Sequence, residues 1–168
     1  LGTDITSESD SLVTTGINQT RLHGEVLVDG KVFQNGETQI QTPSWIWHDS
    51  VAYVFPGSPK ELKLEAVEKS GRLNRIFGLG PDSLYRQEVF SVWYEHGIKP
   101  MNESYAYAVL PGVSPETAKT YSQNPLVNIM SNTSKVQAVD HKNLKITGIV
   151  FYEAGGFQAH DNLWLEVN

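Results

Sequence analysis

The segment from Val89 to Pro111, VFSVWYEHGIKPMNESYAYAVLP, constrains the fold most, because two alternating stretches flank a loop rich in turn residues. Successive side chains of a strand point to opposite faces, and aromatic and β-branched residues suit a pleated surface. Both faces of the first stretch carry aromatic residues, with Tyr94 on one and Trp93 on the other. The pattern predicts a long β-hairpin inside a sheet, with Trp93 and Tyr107 in the interior.

Two other segments predict hairpins from their turn residues. Asp29-Gly30 joins two apolar arms between Val26 and Phe33, and this dipeptide favours a type I′ turn. Trp45 to Phe55 predicts a second hairpin about Asp49-Ser50, and Asn35-Gly36 predicts a further turn.

Shorter patterns complete an all-β prediction with one short helix. Glu61 to Val67 alternates like a half-exposed strand, although its residues are also good helix formers. Ser114 as N-cap and Pro115 at the first helical position predict a helix to about Tyr121. The remaining predicted strands are Leu12 to Leu22, Leu126 to Met130, Lys135 to Val139, Leu144 to Tyr152, which is apolar enough to be buried, and Asn162 to Asn168.

Composition removes several classes of function. The chain has 13 Lys and Arg against 19 Asp and Glu, a net charge of −6, without a basic run that could follow a nucleic-acid backbone. It has no cysteine, which excludes a disulfide scaffold and a Cys-ligated zinc site. No stretch approaches the roughly 20 apolar residues of a membrane helix. The sequence thus predicts no nucleic-acid partner, no membrane span and no cofactor.

Ordered motifs along nearly the whole chain resemble one known family. They are Leu1-Gly2-Thr3-Asp4-Ile5, Val13-Thr14-Thr15 with Asn18-Gln19, Trp47-His48-Asp49 running into Tyr53-Val54-Phe55-Pro56, Trp93-Tyr94-Glu95-His96-Gly97 with SYAYAVLPG, and Val136-Gln137-Ala138-Val139. The set resembles the super-sandwich domain of polysaccharide lyase family 8, the hyaluronate, chondroitin AC and xanthan lyases.

The resemblance implies an antiparallel β-sandwich of the super-sandwich, galactose-mutarotase-like type. Residues 1 to 168 are then expected to form one domain of a larger lyase, without the N-terminal α/α-toroid and the C-terminal β-domain of the family. A secreted or periplasmic location in a bacterium is expected, and the implied partners are an acidic polysaccharide of the glycosaminoglycan type and the helical catalytic domain of the same enzyme.

The family mechanism implied by the resemblance is β-elimination. A tyrosine removes the C5 proton of a uronate, a histidine and an asparagine deal with the carboxylate charge, and an arginine assists. In the family these groups lie on the helical domain, and a glutamate comes from the upstream sheet, so no catalytic residue is assigned to this chain. The domain would be scaffold and cleft wall.

Candidate contacts to substrate come from two places. Ser70 to Tyr85 predicts a long connection, and long loops are often functional, so Arg72 and Arg75 are candidates for contacts with anionic sugar groups, against the alternative of a solvated loop. Trp45 and Trp47 lie beside a predicted hairpin turn and are candidates for partly exposed stacking platforms, although aromatic stripes are more often core.

The five histidines predict no metal site and no self-contained active site. They are scattered, and no two have the i, i+2 or i, i+4 spacing of a local metal site. The neighbours in Glu95-His96 and His48-Asp49 face opposite ways on a strand, which favours structural roles. Two functions stay open: a lyase domain, or a free-standing carbohydrate-binding or adhesive β-sandwich without a reaction.

Overall fold

A computed structural model describes residues 1–34, 38–57 and 61–168, and the predicted Asn35-Gly36 turn lies outside these residues. In chain order, the elements of the first half are β1 Gly2–Ile5, β2 Leu12–Arg21, β3 Val26–Val28, β4 Lys31–Val32, β5 Thr38–Gln41, β6 Trp45–His48, β7 Val51–Val54, β8 Leu62–Arg72 and α1 Leu73–Phe77. The second half contains β9 Leu84–Ile98, β10 Glu103–Tyr105, β11 Ala108–Pro111, α2 Pro115–Gln123, β12 Val127–Asn132, β13 Val136–His141, β14 Ile146–Phe151, β15 Gly155–His160 and β16 Leu163–Val167.

Two antiparallel sheets form the sandwich. One has five strands in the order β11-β7-β6-β3-β4, and the other has four in the order β2-β9-β8-β5. Alternation along each strand places one apolar set of side chains between the sheets. This core includes Val26, Ile46, Tyr53 and Phe55 from the five-stranded side and Leu62, Leu64, Phe90, Val92 and Tyr94 from the four-stranded side.

Helix α2 covers the other face of the five-stranded sheet. Ala118 of the helix packs with Trp45, Ala52 and Val54 in a second apolar cluster. The helix begins as the sequence predicts: Ser114 accepts a hydrogen bond from the Thr117 N–H, and Pro115 occupies the first turn. The five-stranded sheet is therefore buried on both faces.

Both local hairpins form with the predicted turns. Asp29 and Gly30 have φ of 49° and 82°, and Val28 pairs with Lys31. Asp49 and Ser50 have φ of 47° and 64° between β6 and β7. Two successive residues at positive φ are the signature of the type I′ turn, whose twist matches that of the flanking strands.

The predicted hairpin from Val89 to Pro111 is wrong. Its first arm is β9, which pairs with β2 on one side and β8 on the other. The second arm is split: β10 pairs with β1, and β11 pairs with β7 in the five-stranded sheet. The chain crosses from one sheet to the other after Ile98, so the two aromatic arms lie in different layers.

The long connection predicted from Ser70 to Tyr85 is present but shorter, because strand takes up its two ends. β8 and β9 stay paired until Arg72 opposite Leu84, which leaves residues 73–83 as a connection that contains α1. Here an extended ladder continues through residues that have no apolar alternation. Helix α1, which the sequence analysis does not predict, lies at the end of this arm. Gly78 follows the helix in a left-handed conformation, with φ of 69°.

The last part of the chain forms two smaller sheets, β12-β13-β14 and β15-β16. The strands predicted from Leu126 to Tyr152 and near Asn168 are present. The predicted burial of Leu144 to Tyr152 is wrong, because β14 alternates and its Ile146 and Val150 are exposed. A short run of apolar residues does not distinguish a buried strand from a strand with one open face.

Candidate functional site

The two tryptophans predicted as platforms lie under helix α2. Trp45 is 4% exposed and belongs to the apolar cluster with Ala118, so the expected exposure is wrong for this residue. Trp47 is half-buried, and its Nε1–H donates a hydrogen bond to the Val113 carbonyl at 2.7 Å. The structure uses both indoles to attach the helix to the sheet.

The two candidate arginines lie at the far end of the arm formed by β8 and β9. Arg72 Nη1 is 3.0 Å from Asp82 Oδ2 and donates to the Asp82 carbonyl at 2.7 Å. Arg75 lies in the last turn of α1 with an exposed side chain. The arginines are therefore near each other in the arm, and the fold does not bring them to the two tryptophans.

His48 takes a structural position in the core. His48 is 2% exposed and lies 4.8 Å from Phe90 between ring centroids. Its Nε2 accepts a hydrogen bond from the His23 N–H at 3.0 Å, which requires an unprotonated nitrogen. Burial lowers the pKa of His48, which favours the same neutral form.

The structure assembles an aromatic cluster that sequence reasoning missed. Tyr94 stacks on Tyr105 with centroids 5.6 Å apart, and Tyr105 stacks on Tyr107 at 6.1 Å. His96 lies 6.2 Å from Tyr105, and its Nε2 is 2.8 Å from Thr15 Oγ1. The alternation of each segment puts its rings on one face, but only the crossing between sheets brings the two segments together.

Tyr94, at the centre of this cluster, has an environment that suits packing and does not suit proton abstraction. Tyr94 is buried and donates its hydroxyl proton to the Ala106 carbonyl at 3.1 Å. Burial, with smaller contributions from Tyr107 and Tyr105, raises the pKa of Tyr94 above its usual value. A tyrosine that acts as a base needs a stabilised anion, and this site favours the neutral phenol.

An apolar cavity of about 500 Å³ lies between the sandwich and the three-stranded sheet. Tyr107 and Val54 line the sandwich side, and Ile129, Val139 and Ile149 line the other. A hydrogen-bonded chain crosses from one side to the other nearby, because the Asn132 amide donates to the carbonyls of Gly2 and Tyr105 and accepts from Gln137. The cavity therefore separates the sandwich from the three-stranded sheet, and hydrogen bonds of Asn132 connect the two beside it.

Neither a metal centre nor a membrane-spanning helix is found in the described part of the chain. No group of three or more His, Asp or Glu side chains within residues 1–34, 38–57 and 61–168 could hold a metal ion. Among the same residues, no helix has the length and apolar character needed to cross a membrane.

Comparison with protein families assigns the chain in two parts. Residues 1–122 match the polysaccharide lyase family 8 super-sandwich domain. Residues 128–168 match the C-terminal beta-sandwich domain of the same family. The division falls between α2 and β12, where the large sandwich gives way to the smaller sheets. The expectation that residues 1 to 168 form one domain stays a prediction.

Known relatives agree with the family models. Chondroitinase-AC of Pedobacter heparinus is 34% identical over 159 residues, which cover 92% of this chain and 22% of the relative. Hyaluronate lyase HylB of Enterococcus faecalis is 27% identical over 169 residues, with 93% and 16% covered. This chain therefore spans about a fifth of the length of these relatives.

Solved structures show the same architecture. A chondroitinase AC lyase from a study of enzyme–oligosaccharide complexes superposes with a TM-score of 0.88 at 31% identity, covering 94% of this chain and 24% of that one. A Paenibacillus xanthan lyase gives a TM-score of 0.85 at 23% identity, with 93% and 16% covered, and shows the fold alone. The expected antiparallel β-sandwich is confirmed, and the chain belongs to polysaccharide lyase family 8.

Proposed function

We propose that this chain is the β-sandwich part of a polysaccharide lyase that cleaves uronate-containing polysaccharides of the hyaluronan or chondroitin type by β-elimination. In this proposal the chain is scaffold and cleft wall, and a helical domain of the same enzyme supplies the reacting groups. The observation that carries the proposal is the family match across both parts of the chain. The relatives named for chondroitin, hyaluronate and xanthan support it. A secreted or periplasmic bacterial location is part of the same proposal.

The side-chain environments support a role without catalysis. Elimination requires a base within hydrogen-bond reach of the C5 proton and a group that neutralises the adjacent carboxylate. His48 is enclosed in the core, and the phenol of Tyr94 is bonded to a backbone carbonyl. His141 Nδ1 accepts a bond from the Leu144 N–H, which holds it in the turn before β14.

Contacts to an anionic polymer fit the arm best. The chain carries a net charge of −6, so attraction of a polyanion must be local. Arg75 has an exposed side chain on α1, whereas the guanidinium of Arg72 is already engaged by Asp82. We therefore assign any direct contact in the arm to Arg75 and a supporting role to Arg72.

The test measures the ultraviolet absorbance of the unsaturated uronate that elimination produces. The purified 168-residue chain is incubated with hyaluronan, chondroitin sulfates and xanthan, first alone and then with the helical domain of the same enzyme supplied as a separate chain. We expect no absorbance from the chain alone and turnover from the mixture. The proposal would be contradicted if both proteins are folded and associated in the mixture and the mixture is still inactive on all three polymers.

Turnover by the isolated chain that survives repurification would also overturn the scaffold role. In that case Tyr105, Tyr107, His96 and Arg72 are the first positions to replace. The first three belong to the aromatic cluster, and the last lies in the arm. The substitution that removes turnover without changing the thermal midpoint would then locate the reacting group.

A further inference from the structure

The outer face of the four-stranded sheet has a gap beside Trp93. The alternation of β9 buries Phe90, Val92 and Tyr94 in the core, so Trp93 points to the opposite face. Its partner across the ladder in β2 is Gly16, which has no side chain. The space next to the indole is therefore not filled from β2.

A β-bulge widens this gap. The register between β2 and β9 shifts between Gly16 and Asn18, so the next outward pair is Gln19 opposite Ser91. A Cβ built on Gly16 would meet no atom within 4 Å. A groove of about 480 Å³ results, with Gly16, Gln19, Ser91 and Trp93 among its lining residues. This volume lies within the range of about 300–1,000 Å³ that is usual for small-molecule sites.

Neighbouring side chains hold the indole and neutralise the charge near it. The Trp93 Nε1–H donates to Glu95 Oε1 at 3.3 Å, and the same oxygen is 2.7 Å from Lys63 Nζ. Lys63 is the partner of Trp93 on the β8 side. The groove thus has a half-buried aromatic side chain fixed by its N–H, next to an ion pair with no net charge.

A hydrogen-bonded pair of side chains, Gln19 of β2 and Ser91 of β9, lies beside the indole in the groove. Gln19 Nε2 donates to Ser91 Oγ at 3.4 Å, which is long for such a bond. The exposed amide of Gln19 keeps an oxygen acceptor and a second N–H, whereas Ser91 is 4% exposed. The Gln19 amide can therefore bond to hydroxyls of a ligand with little loss of existing interactions.

We propose that this groove binds one uncharged pyranose ring of a saccharide. The C–H face of the ring stacks on Trp93, and its hydroxyls bond to the amide of Gln19. An aromatic face combined with an exposed amide, without net charge, matches a sugar ring that is apolar on its face and polar at its edge. This binding is separate from β-elimination and does not depend on the proposed lyase function.

The experiment uses the 168-residue chain labelled with 5-fluorotryptophan and follows the four tryptophan signals by ¹⁹F NMR. The signal of Trp93 is assigned as the one missing in Trp93→Phe. Chitotetraose is the uncharged probe, and a chondroitin sulfate tetrasaccharide is the anionic probe. We expect chitotetraose to shift the Trp93 signal, with an affinity that is nearly the same at low and high salt, because stacking is not screened.

Two pairs of variants locate the binding. Trp93→Ala and Gly16→Leu are expected to weaken chitotetraose binding about tenfold or more, because one removes the stacking face and the other fills the space next to it. Trp164→Phe is the control for an exposed indole elsewhere. Gly71→Leu is the control for a glycine in the same sheet whose added Cβ likewise meets no atom within 4 Å. Both controls should bind like the parent chain.

Either of two results overturns the proposal. One is that chitotetraose leaves the Trp93 signal unchanged at millimolar concentration. The other is that Gly16→Leu binds as tightly as the parent chain. If Trp93→Ala fails to fold, Gly16→Leu and Gln19→Ala still decide the question, since their positions lie on the outer surface. Loss of this binding and loss of lyase turnover are read by different measurements, so one proposal can fail without the other.

Discussion

Asp29 Oδ1 accepts a hydrogen bond from the Trp45 N–H at 3.0 Å, and this contact joins the first hairpin turn to the next strand of the sheet. The same carboxylate accepts from the Ser44 N–H at 3.0 Å. The turn that Asp29 and Gly30 form is therefore part of the five-stranded sheet rather than a free surface loop. Its geometry bears on the stability of the whole sandwich.

We expect Gly30→Val to lower the free energy of unfolding by about 1 kcal/mol or more. Gly30 has φ of 82°, a region that β-branched residues rarely adopt. A Cβ there would lie 3.8 Å from Trp45 Cζ2, an ordinary contact, so the cost comes from the backbone. Urea denaturation measures the change.

Gly71→Val is the matched control for that substitution. Gly71 lies in strand β8, where a branched side chain is tolerated, and an added Cβ meets no atom within 4 Å. Its free energy of unfolding should stay within about 0.5 kcal/mol of the parent. Equal losses in the two variants would show that the turn conformation is not the cause.

The stability of the domain should decrease as the pH falls below the ordinary histidine pKa, because of His48. Burial lowers the pKa of folded His48 below its ordinary value of 6.5. The unfolded chain therefore takes up a proton first, and the free energy of unfolding falls from about pH 6.5 down to the lowered pKa, by at most about 1.4 kcal/mol per pH unit. Above this window the contribution is constant.

His48→Gln should flatten that pH dependence while lowering stability at neutral pH. The variant removes the titrating ring and its contact with Phe90. Urea denaturation at a series of pH values gives the slopes, and an unchanged slope in His48→Gln would contradict the assignment.

Turn chemistry in the sequence predicted local structure well. Asp29-Gly30 and Asp49-Ser50 carry their conformational preference within two residues, so no distant contact is needed to recognise them. Ser114 and Pro115 define the start of α2 for the same reason. The family resemblance then gave the layer architecture into which these pieces fit.

Local turn and cap residues do not predict which distant strands pair with each other. Alternation shows that the arms around Tyr94 and Tyr107 are strands, but it does not say whether they pair with each other or with β8 and β7. The burial of Trp45 depends on Ala118, which is far along the chain. The groove at Trp93 depends on a bulge near Gly16, and a register shift leaves no clear mark in the sequence.

Ser114→Ala should lower the free energy of unfolding by about 1 kcal/mol. The Ser114 hydroxyl accepts the Thr117 N–H at the start of α2, and the helix covers the face of the sheet that carries Trp45. Ser122→Ala is the control, because its hydroxyl donates to the Lys119 carbonyl on the exposed side of the helix. Thermal unfolding followed by circular dichroism compares the two, and equal midpoints would show that the cap contributes nothing.

We expect the isolated chain to self-associate through the end of the arm formed by β8 and β9. Phe77 and Leu79 are 70% and 80% exposed there, and Leu73, Leu84 and Tyr85 are exposed beside them. Several exposed apolar side chains at one end of an arm favour association with a second copy when nothing else covers them. The double variant Phe77→Ser, Leu79→Ser should shift static light scattering towards the monomer mass. Its thermal midpoint should not change, because neither side chain is in the core.

Leu144→Ser, which removes a single exposed side chain elsewhere, should scatter like the parent chain. A parent chain that remains monomeric at high concentration would rule out this association, and a double variant that associates as strongly would assign it to another surface.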